Sequence, residues 1–308
     1  MSVFVLDPGV QTTLQASARV GLRQAGVPAS GPADPVSMAL ANRLVGKPAA
    51  ATCLEITLGP ASFRFDSPMQ IGLTGARASV QIAGVEQQFH ETISVKAGDA
   101  LEIGAARAGA RIYLAVSGDL PAEVFLNSAS TYLPAGFGGL EGRALRKGDR
   151  LEPGAVGERP FCETPHTLRL PVSASYALRA VAGPDWNSED ETPASSVYRV
   201  TTRLSRMGAE IDGVFPAVSQ AGMKPSSAVF PGALQVTPQG RGFLLLPDGQ
   251  TTGGYPHVLQ VIRADRHLLG QIRPGDSLRF LMCTQVQAEA ALRAKQALLV
   301  AWMPDFSL

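Results

Sequence analysis

The run Gln250-Thr251-Thr252-Gly253-Gly254-Tyr255 sets an amide, two hydroxyls and a phenol around two glycines. Glycine lets a ligand come close to the backbone, and the side chains supply donors and acceptors. A ligand-lining loop accounts for this density of polar groups, whereas a barrel-closing turn explains only the glycines. Gln271, downstream, can join the same set. Glu55 sits in the strand-like apolar run Leu54 to Leu58, where a carboxylate needs a partner. It is either half of a buried structural pair or a catalytic acid/base. Arg143 and Arg206 can bind a carboxylate or phosphate in bidentate fashion, or equally tie loops together. Ser30 and Asn42 can hydrogen-bond a substrate carboxylate or amide, and Asn42 can instead hold backbone groups. Asp34 reads first as a helix cap and second as a ligand contact.

Other chemistry lacks its signature. The four histidines form no His-x-His or His-Glu-x-x-His pair and there is no Cys-x-x-Cys, so no metal site is expected. Ser30, in Pro28-Ala29-Ser30-Gly31-Pro32, lacks the glycine two residues earlier that a nucleophile elbow requires. Gly136-Phe137-Gly138-Gly139-Leu140-Glu141-Gly142-Arg143 lacks the closing Lys-Ser/Thr of a phosphate loop, and Glu141 replaces the last glycine of a dinucleotide fingerprint. No side chain stands out as a nucleophile, so a site shared with another chain is expected.

The elements that must carry these residues are mainly strands. High glycine (32) and proline (23) with 6% aromatics suit many short strands joined by tight turns. Phe63–Phe65, Ser79–Ile82, Ile93–Val95 and Arg111–Val116 are such strands. One helix is signalled by Asp34 as cap, Pro35 at the first position and Gly46 as terminator. A second is expected from about Val286 to Val300, as a cover over the second barrel. Gly98-Asp99-Ala100-Leu101, Gly148-Asp149-Arg150-Leu151 and Gly275-Asp276-Ser277-Leu278 repeat one pattern, Gly-Asp-x-Leu. Glycine supplies the unusual backbone angle, aspartate bonds nearby amides and leucine enters the core. Two tandem β-barrel domains follow, 1–160 and 161–308, with a proline-rich boundary between Pro153 and Pro171.

The charge balance of 27 basic and 26 acidic residues, with no Lys/Arg run, argues against nucleic acid as a partner. No apolar window is long enough to span a membrane, and no signal peptide is evident. Three separated cysteines suit reduced thiols, so a cytoplasmic protein is expected.

Several polar and glycine clusters are longer than a barrel needs. They are Gly26 to Asp34, Ala41 to Gly46, Leu54 to Pro60, Thr74 to Ala76, Tyr113 to Gly118, Ser130-Thr131 with Gly138 to Leu145, and Gln250 to Pro256. In this order they resemble the KipA / PxpC family, the C subunits of 5-oxoprolinase. Its domain is that of allophanate hydrolase subunit 2, also described as biotin-dependent carboxyltransferase-like. The resemblance extends from about Gly9 to Phe280. It implies two cyclophilin-like β-barrels with a few short helices. It also implies two partners, a KipI-type protein (the 5-oxoprolinase B subunit) and a lactam-utilisation-type A subunit. Such complexes open 5-oxo-L-proline to L-glutamate using ATP, whose place among the subunits is left open. Its relatives also imply an alternative, a carboxyltransferase moving carboxyl from carboxybiotin to a urea-like amide; biotin belongs to that reading alone. A non-catalytic regulatory or binding subunit is the third reading.

Opening a lactam requires oxyanion stabilisation and proton delivery to the leaving nitrogen. On that chemistry Glu55, Arg143 and Arg206 are the catalytic candidates. Ser30, Asp34, Asn42, Gln250, Thr251, Thr252, Tyr255 and Gln271 are those for small-molecule amide binding. The chain departs from the family pattern at Ser205, where an aspartate is usual, and at Glu210, where an arginine is usual. It departs again at Ser227 in place of glutamate and Gly249 in place of arginine.

Overall fold

In the computed structural model, which describes residues 1–154, 159–186, 195–215 and 224–308, the chain divides into two units. Unit 1 comprises Met1–Arg19, Asp34–Val172 and Leu298–Ser307; unit 2 comprises Val20–Ala33, Ser173–Ala297 and Leu308. The main division therefore falls after Val172, at the end of the proline-rich stretch, where the sequence placed it at 160. Part of that stretch, 155–158, lies outside the described residues.

Unit 1 is built of two antiparallel sheets. The six-stranded sheet uses β1 (Val3–Asp7), β4 (Ala61–Phe65), β6 (Val80–Ile82), β7 (Val85–Glu86), β9 (Ala100–Ile103) and β11 (Arg150–Leu151). The five-stranded sheet uses β2 (Gln11–Gln15), β3 (Cys53–Thr57), β5 (Met69–Arg77), β8 (Thr92–Val95) and β10 (Ala108–Val116). Their orders are β11-β1-β4-β9-β6-β7 and β2-β3-β10-β5-β8. Alternate apolar residues of both sheets, among them Val5, Phe63, Leu101, Ile56, Leu73 and Ile112, meet in one core. The long strands β5 and β10 are buried on both faces, because helix α1 (Pro35–Leu44) covers their outer side.

The signals that announce α1 operate as read. The Asp34 carboxylate accepts from the Ser37 backbone N–H at 3.0 Å and from its hydroxyl at 2.5 Å. Pro35 takes the first turn, and Gly46 follows the C-cap Val45 with φ +70°. Met38, Ala41 and Val45 pack on Cys53, Tyr113 and Ala115 of the sheet below. Residues 298–307 complete this unit: Asp305 accepts from the Ala49 N–H at 2.8 Å, and Met303 is wholly buried.

Unit 2 is a closed seven-stranded barrel. Its strands are β12 (Ser175–Ala182), β13 (Tyr198–Leu204), β14 (Gly208–Asp212), β16 (Ala233–Val236), β17 (Gly242–Leu245), β19 (His257–Val261) and β20 (Ser277–Met282). The order β12-β19-β16-β17-β14-β13-β20 closes through the parallel pair β12 and β20. The two-residue strands β15 (Ser227–Ala228) and β18 (Thr252–Gly253) pair beside it. A short helix, α2 (Arg266–Leu269), follows β19, and α3 (Gln285–Val300) follows β20. The sequence anticipates α3 to within a residue; Leu299 alone along it is fully buried, and that residue is grouped with unit 1.

The repeated Gly-Asp-x-Leu turn is one device used three times. Gly98, Gly148 and Gly275 have φ of +91°, +92° and +91°. Asp99, Asp149 and Asp276 each accept through a carboxylate oxygen from the backbone N–H three residues earlier, at 2.8, 2.8 and 3.0 Å. The glycine N–H donates to the carbonyl of Phe65, Val5 or Val200, and the N–H of that same residue donates to the aspartate carbonyl. Each turn thus clamps one residue of a neighbouring strand, while Leu101, Leu151 and Leu278 enter the cores fully buried.

One buried histidine and one half-buried histidine make the fold sensitive to acid. His267 is pushed down to about 3, first by burial and then by Lys295, whose ammonium lies 2.8 Å from Nε2. His90 is pushed down to about 4 by burial and by Arg169. Because the folded values lie below the ordinary 6.5, the unfolded chain binds protons the folded one does not, and stability falls as pH drops from about 6.5 toward 3. Chemical denaturation across that window should show the decline, and His267→Gln should make it shallower. A wild-type stability flat from pH 7 to pH 4 would contradict this. At the turns, no neighbour lies within 4 Å of a Cβ built on Gly98, Gly148 or Gly275, so alanine meets only backbone strain. Each Gly→Ala change should lower unfolding free energy by about 1–3 kcal/mol, nearly equally at the three sites.

Candidate functional site

A cavity of about 550 Å³ opens on the flank of the unit 2 barrel formed by β13, β14, β16 and β17 and the loop after β17. Leu204, Phe243 and Leu245 give it an apolar wall, and Gln235, Gln250 and Tyr255 bring polar groups to it. Gln235, on β16, is 1% exposed. Its amide donates to the Tyr255 carbonyl at 3.2 Å and accepts from the Gln250 amide at 3.1 Å. The first glycine of the loop has a steric reason. A Cβ at Gly253 would stand 2.4 Å from Gln235 Nε2 and 3.0 Å from Gln250 Nε2, so only glycine lets the two amides meet.

Behind this wall lies a buried charge set. Arg206 donates through Nε to Asp248 Oδ2 at 2.8 Å and through Nη2 to Asp248 Oδ1 at 3.1 Å. Nη2 also reaches the Gly31 carbonyl at 2.5 Å, and the Ser30 hydroxyl donates to Asp248 Oδ1 at 2.7 Å. Arg206 is 4% exposed and Asp248 1%. Their sequence neighbours Ser205, Met207 and Gly249 line the cavity, so this ion pair sets the position of two lining segments. Deleting one partner of so buried a pair typically costs about 3–5 kcal/mol.

Ser30 and Arg206, far apart in sequence, are thus brought together, and Gln250 and Tyr255 meet at the cavity. Thr251 is buried behind that loop and Thr252 is exposed on β18. Gln271 is fully buried, with its carbonyl accepting from the Tyr176 hydroxyl at 3.2 Å. None of Glu55, Asp34, Asn42 or Arg143 lines this cavity; all four belong to unit 1.

Glu55, 1% exposed on β3, accepts from the Tyr113 hydroxyl at 2.7 Å and pairs with Arg111 at 3.5 Å. The Tyr113 oxygen in turn accepts from the Asp34 N–H at 2.8 Å, linking the helix start to the sheet. Burial, followed by the adjacent Glu55 carboxylate, holds the Tyr113 phenol well above its ordinary value, so it remains a donor. Asn42 donates to the carbonyls of Ala49 and Ala51, fixing the loop after α1. Arg143 makes a two-pronged contact with Asp149 at 2.7 and 3.0 Å and another with Glu141 at 2.9 Å. These carboxylates raise its affinity for its proton and occupy its fork. The glycine-rich run before it packs on its own chain: a Cβ at Gly139 would lie 1.9 Å from Thr131 Oγ1. It is no phosphate cradle.

Sequence reasoning passed over Asp248 and Gln235. Asp248 stands two residues before the Gln250 loop, and Gln235 interrupts the apolar run Ala233-Leu234-Gln235-Val236. A lone polar residue in a buried strand was the available signal. The departures from the family pattern cluster here. Ser205 and Gly249 line the cavity, while Ser227 pairs with Gly253 on the adjoining two-stranded sheet. Glu210 is buried on β14, held by Arg203 at 2.8 Å and Arg241 at 2.9 Å. A Cβ at Gly249 would lie 2.7 Å from the Met207 carbonyl, so the backbone here has closed over the place where a larger side chain would start. Among the described residues that line the cavity, Arg203 alone is charged, and it pairs with Glu210, which Arg241 shares.

Among the described residues, no group of three His, Cys, Asp or Glu could hold a metal ion, and no helix is long and apolar enough to cross a membrane. The family described as carboxyltransferase domain, subdomain A and B, matches residues 25–282. The chain is 34% identical to the C subunit of 5-oxoprolinase from Escherichia coli K12, over 95% of this chain and 94% of that protein. Among solved structures, TTHA0988 superposes with a TM-score of 0.82 at 32% identity, covering 91% of this chain and 55% of that one. The urea carboxylase of Kluyveromyces lactis superposes with a TM-score of 0.89 at 26% identity, covering 98% of this chain and 29% of that one. The family match over most of the chain, joined to near full-length identity with a curated relative, places it: the chain belongs to the carboxyltransferase domain, subdomain A and B, family, among the relatives of the 5-oxoprolinase C subunit.

Proposed function

We propose that this chain is the C subunit of an ATP-dependent 5-oxoprolinase, positioning a small lactam while partner subunits complete the active site. The observation that carries the reading is the pair of amides, Gln235 and Gln250, held beside Tyr255 in a cavity with an apolar wall. Carboxamides present a donor and an acceptor side by side, the complement of a lactam N–H and C=O. Phe243 and Leu245 exclude water, which strengthens those hydrogen bonds. The Escherichia coli relative, a 5-oxoprolinase C subunit matched along nearly its whole length, supports the same substrate class.

The chemistry beyond binding falls to other groups. Around the cavity, Thr202, Ser205 and Thr237 offer hydroxyls, but among the described residues no cysteine, lysine or histidine lines it to act as nucleophile or base. In this reading partners of the B and A types bring the groups that activate the amide with ATP and deliver water. The isolated chain is then inactive, as a cytoplasmic subunit of a heteromeric hydrolase. A second reading, a carboxyltransferase component for a urea-like amide, is favoured by the TM-score of 0.89 with the yeast urea carboxylase. The same two amides suit the uncharged ring of biotin, which would supply the carboxyl group when bound.

Glutamate formation from 5-oxo-L-proline and ATP tests the proposal, with this chain, its partners, and the full mixture compared. Product is expected in the full mixture alone; a verified complex that forms none would remove the oxoprolinase assignment. In the active complex, Gln250→Ala should lower kcat/KM at least tenfold with Tm nearly unchanged, since its side chain is exposed apart from the Gln235 contact. Asp248→Asn should lower both Tm and activity, because it releases Arg206 and Ser30 together. Equal Tm for Asp248→Asn and wild type would show that the ion pair does not organise the cavity wall.

A further inference from the structure

Unit 2 holds a second concentration of charge, on the other side of the Gln250 backbone. Arg23 reaches the turn from Val229 to Gly232, Arg266 lies beside Val261, which bonds that turn, and Arg263 stands three residues before Arg266. Arg23 donates through Nη2 to the carbonyls of Val229 and Gln250, the latter at 3.0 Å, and lies over the Phe230 ring at 5.2 Å. Arg266 Nε approaches the Val261 carbonyl at 3.5 Å, and the Val261 N–H donates to the Gly232 carbonyl. Arg263 and Arg266 are three residues apart on one continuous helical stretch, so they share a face. Among the described residues, none of the three makes a salt bridge with a carboxylate, whereas Arg143, Arg179 and Arg206 all do. Two further nitrogens of Arg23, Nε and Nη1, are buried with no hydrogen-bond partner among the described residues.

Three like charges close together, with buried donors left open, repel one another and lack a counter-charge. The burden shows at Arg266, pushed down to about 10 first by burial and then by Arg263 and Arg23. From the open donors of Arg23 and the placement of Arg266 and Arg263 beside the same turn, we infer that this cluster is an oxyanion site that takes a phosphoryl group, free or carried on a nucleotide. Guanidinium forks match phosphate oxygens in bidentate geometry, and a multiply charged phosphoryl group offsets three cations where a carboxylate offsets one. Gln250 joins the two sites: its side chain belongs to the cavity and its carbonyl to Arg23. An anion drawn onto Arg23 therefore acts on the backbone of the ligand-lining loop. The inference needs neither the oxoprolinase reading nor the partner subunits, and it is tested without turnover.

Calorimetric titration of the purified chain with inorganic phosphate, pyrophosphate, ATP and acetate, at low and moderate salt, measures it directly. Saturable binding of at least one phosphoryl ligand is expected, weakened at least tenfold by Arg263→Gln and by Arg23→Ala, with acetate much weaker. Arg263 is exposed, so its variant stays folded even if Arg23→Ala does not. Arg279→Gln, an exposed arginine on β20, should leave binding unchanged. Tighter binding of ATP than of pyrophosphate would assign the phosphoryl group to a nucleotide; the reverse would assign it to the free ion. No binding at millimolar concentration, acetate binding as well as phosphate, or affinity indifferent to Arg263→Gln would each overturn the inference.

Discussion

One carboxylate, Asp248, organises the second unit around the candidate site. It is buried, it takes two guanidinium nitrogens from Arg206, and it takes the hydroxyl of Ser30 as well. A charge so enclosed is tolerable only when its acceptors are filled, so the geometry is strict. Through Arg206 it fixes the residues that open β14, and through its own backbone it fixes the approach to Gln250. Through Ser30, and Arg206's bond to Gly31, it anchors the segment Val20–Ala33 within the unit. The loop that offers polar groups to a ligand is thereby held from behind by an ion pair that itself never lines the cavity.

The electrostatics of the cavity follow from that arrangement. Among the described lining residues the one guanidinium, Arg203, pairs with Glu210, which Arg241 shares, and the buried Arg206 is already engaged. The replacements at Ser205 and Gly249 remove an acid and a base together from the family pattern, leaving the sum of charge unaltered. Among the described residues, Arg23, Arg263 and Arg266 are arginines of this unit without a carboxylate partner. On the readings proposed above, the hydrogen-bonding hollow takes the amide and the separate cationic cluster takes the anion.

Local features were the most legible in the sequence. The cap at Asp34, the proline at its first turn and the Gly-Asp-x-Leu turns announce themselves because backbone sterics and short-range hydrogen bonds leave few residue types that fit. The strands around Phe63, Ile93 and Arg111 were visible through their β-branched and aromatic content. The site was legible only in part. Gln250 and Tyr255 stood out because polar residues crowd two glycines, but Gln235 approaches them from a different strand and Asp248 from a turn. Glu55 and Arg143, singled out by residue type, stand in a buried cross-strand network and against a turn aspartate. Residue type is a local property and partner choice a tertiary one, which is why Arg143 and Arg206 could not be told apart before the fold was known.

The composition of the two units has a consequence for biosynthesis. The first unit requires Leu298–Ser307, which emerges from the ribosome after every strand of the second, and the second requires Val20–Ala33, which emerges before most of the first. Neither unit can reach its final set of contacts as an isolated nascent domain. The chain must hold the Arg43, Ala49 and Arg206 partners open until distant segments arrive, so completion of each unit waits on a segment distant in sequence. Fragments cut at the central boundary would each lack a piece of their own wall, and the two halves would have to be made as one polypeptide to mature.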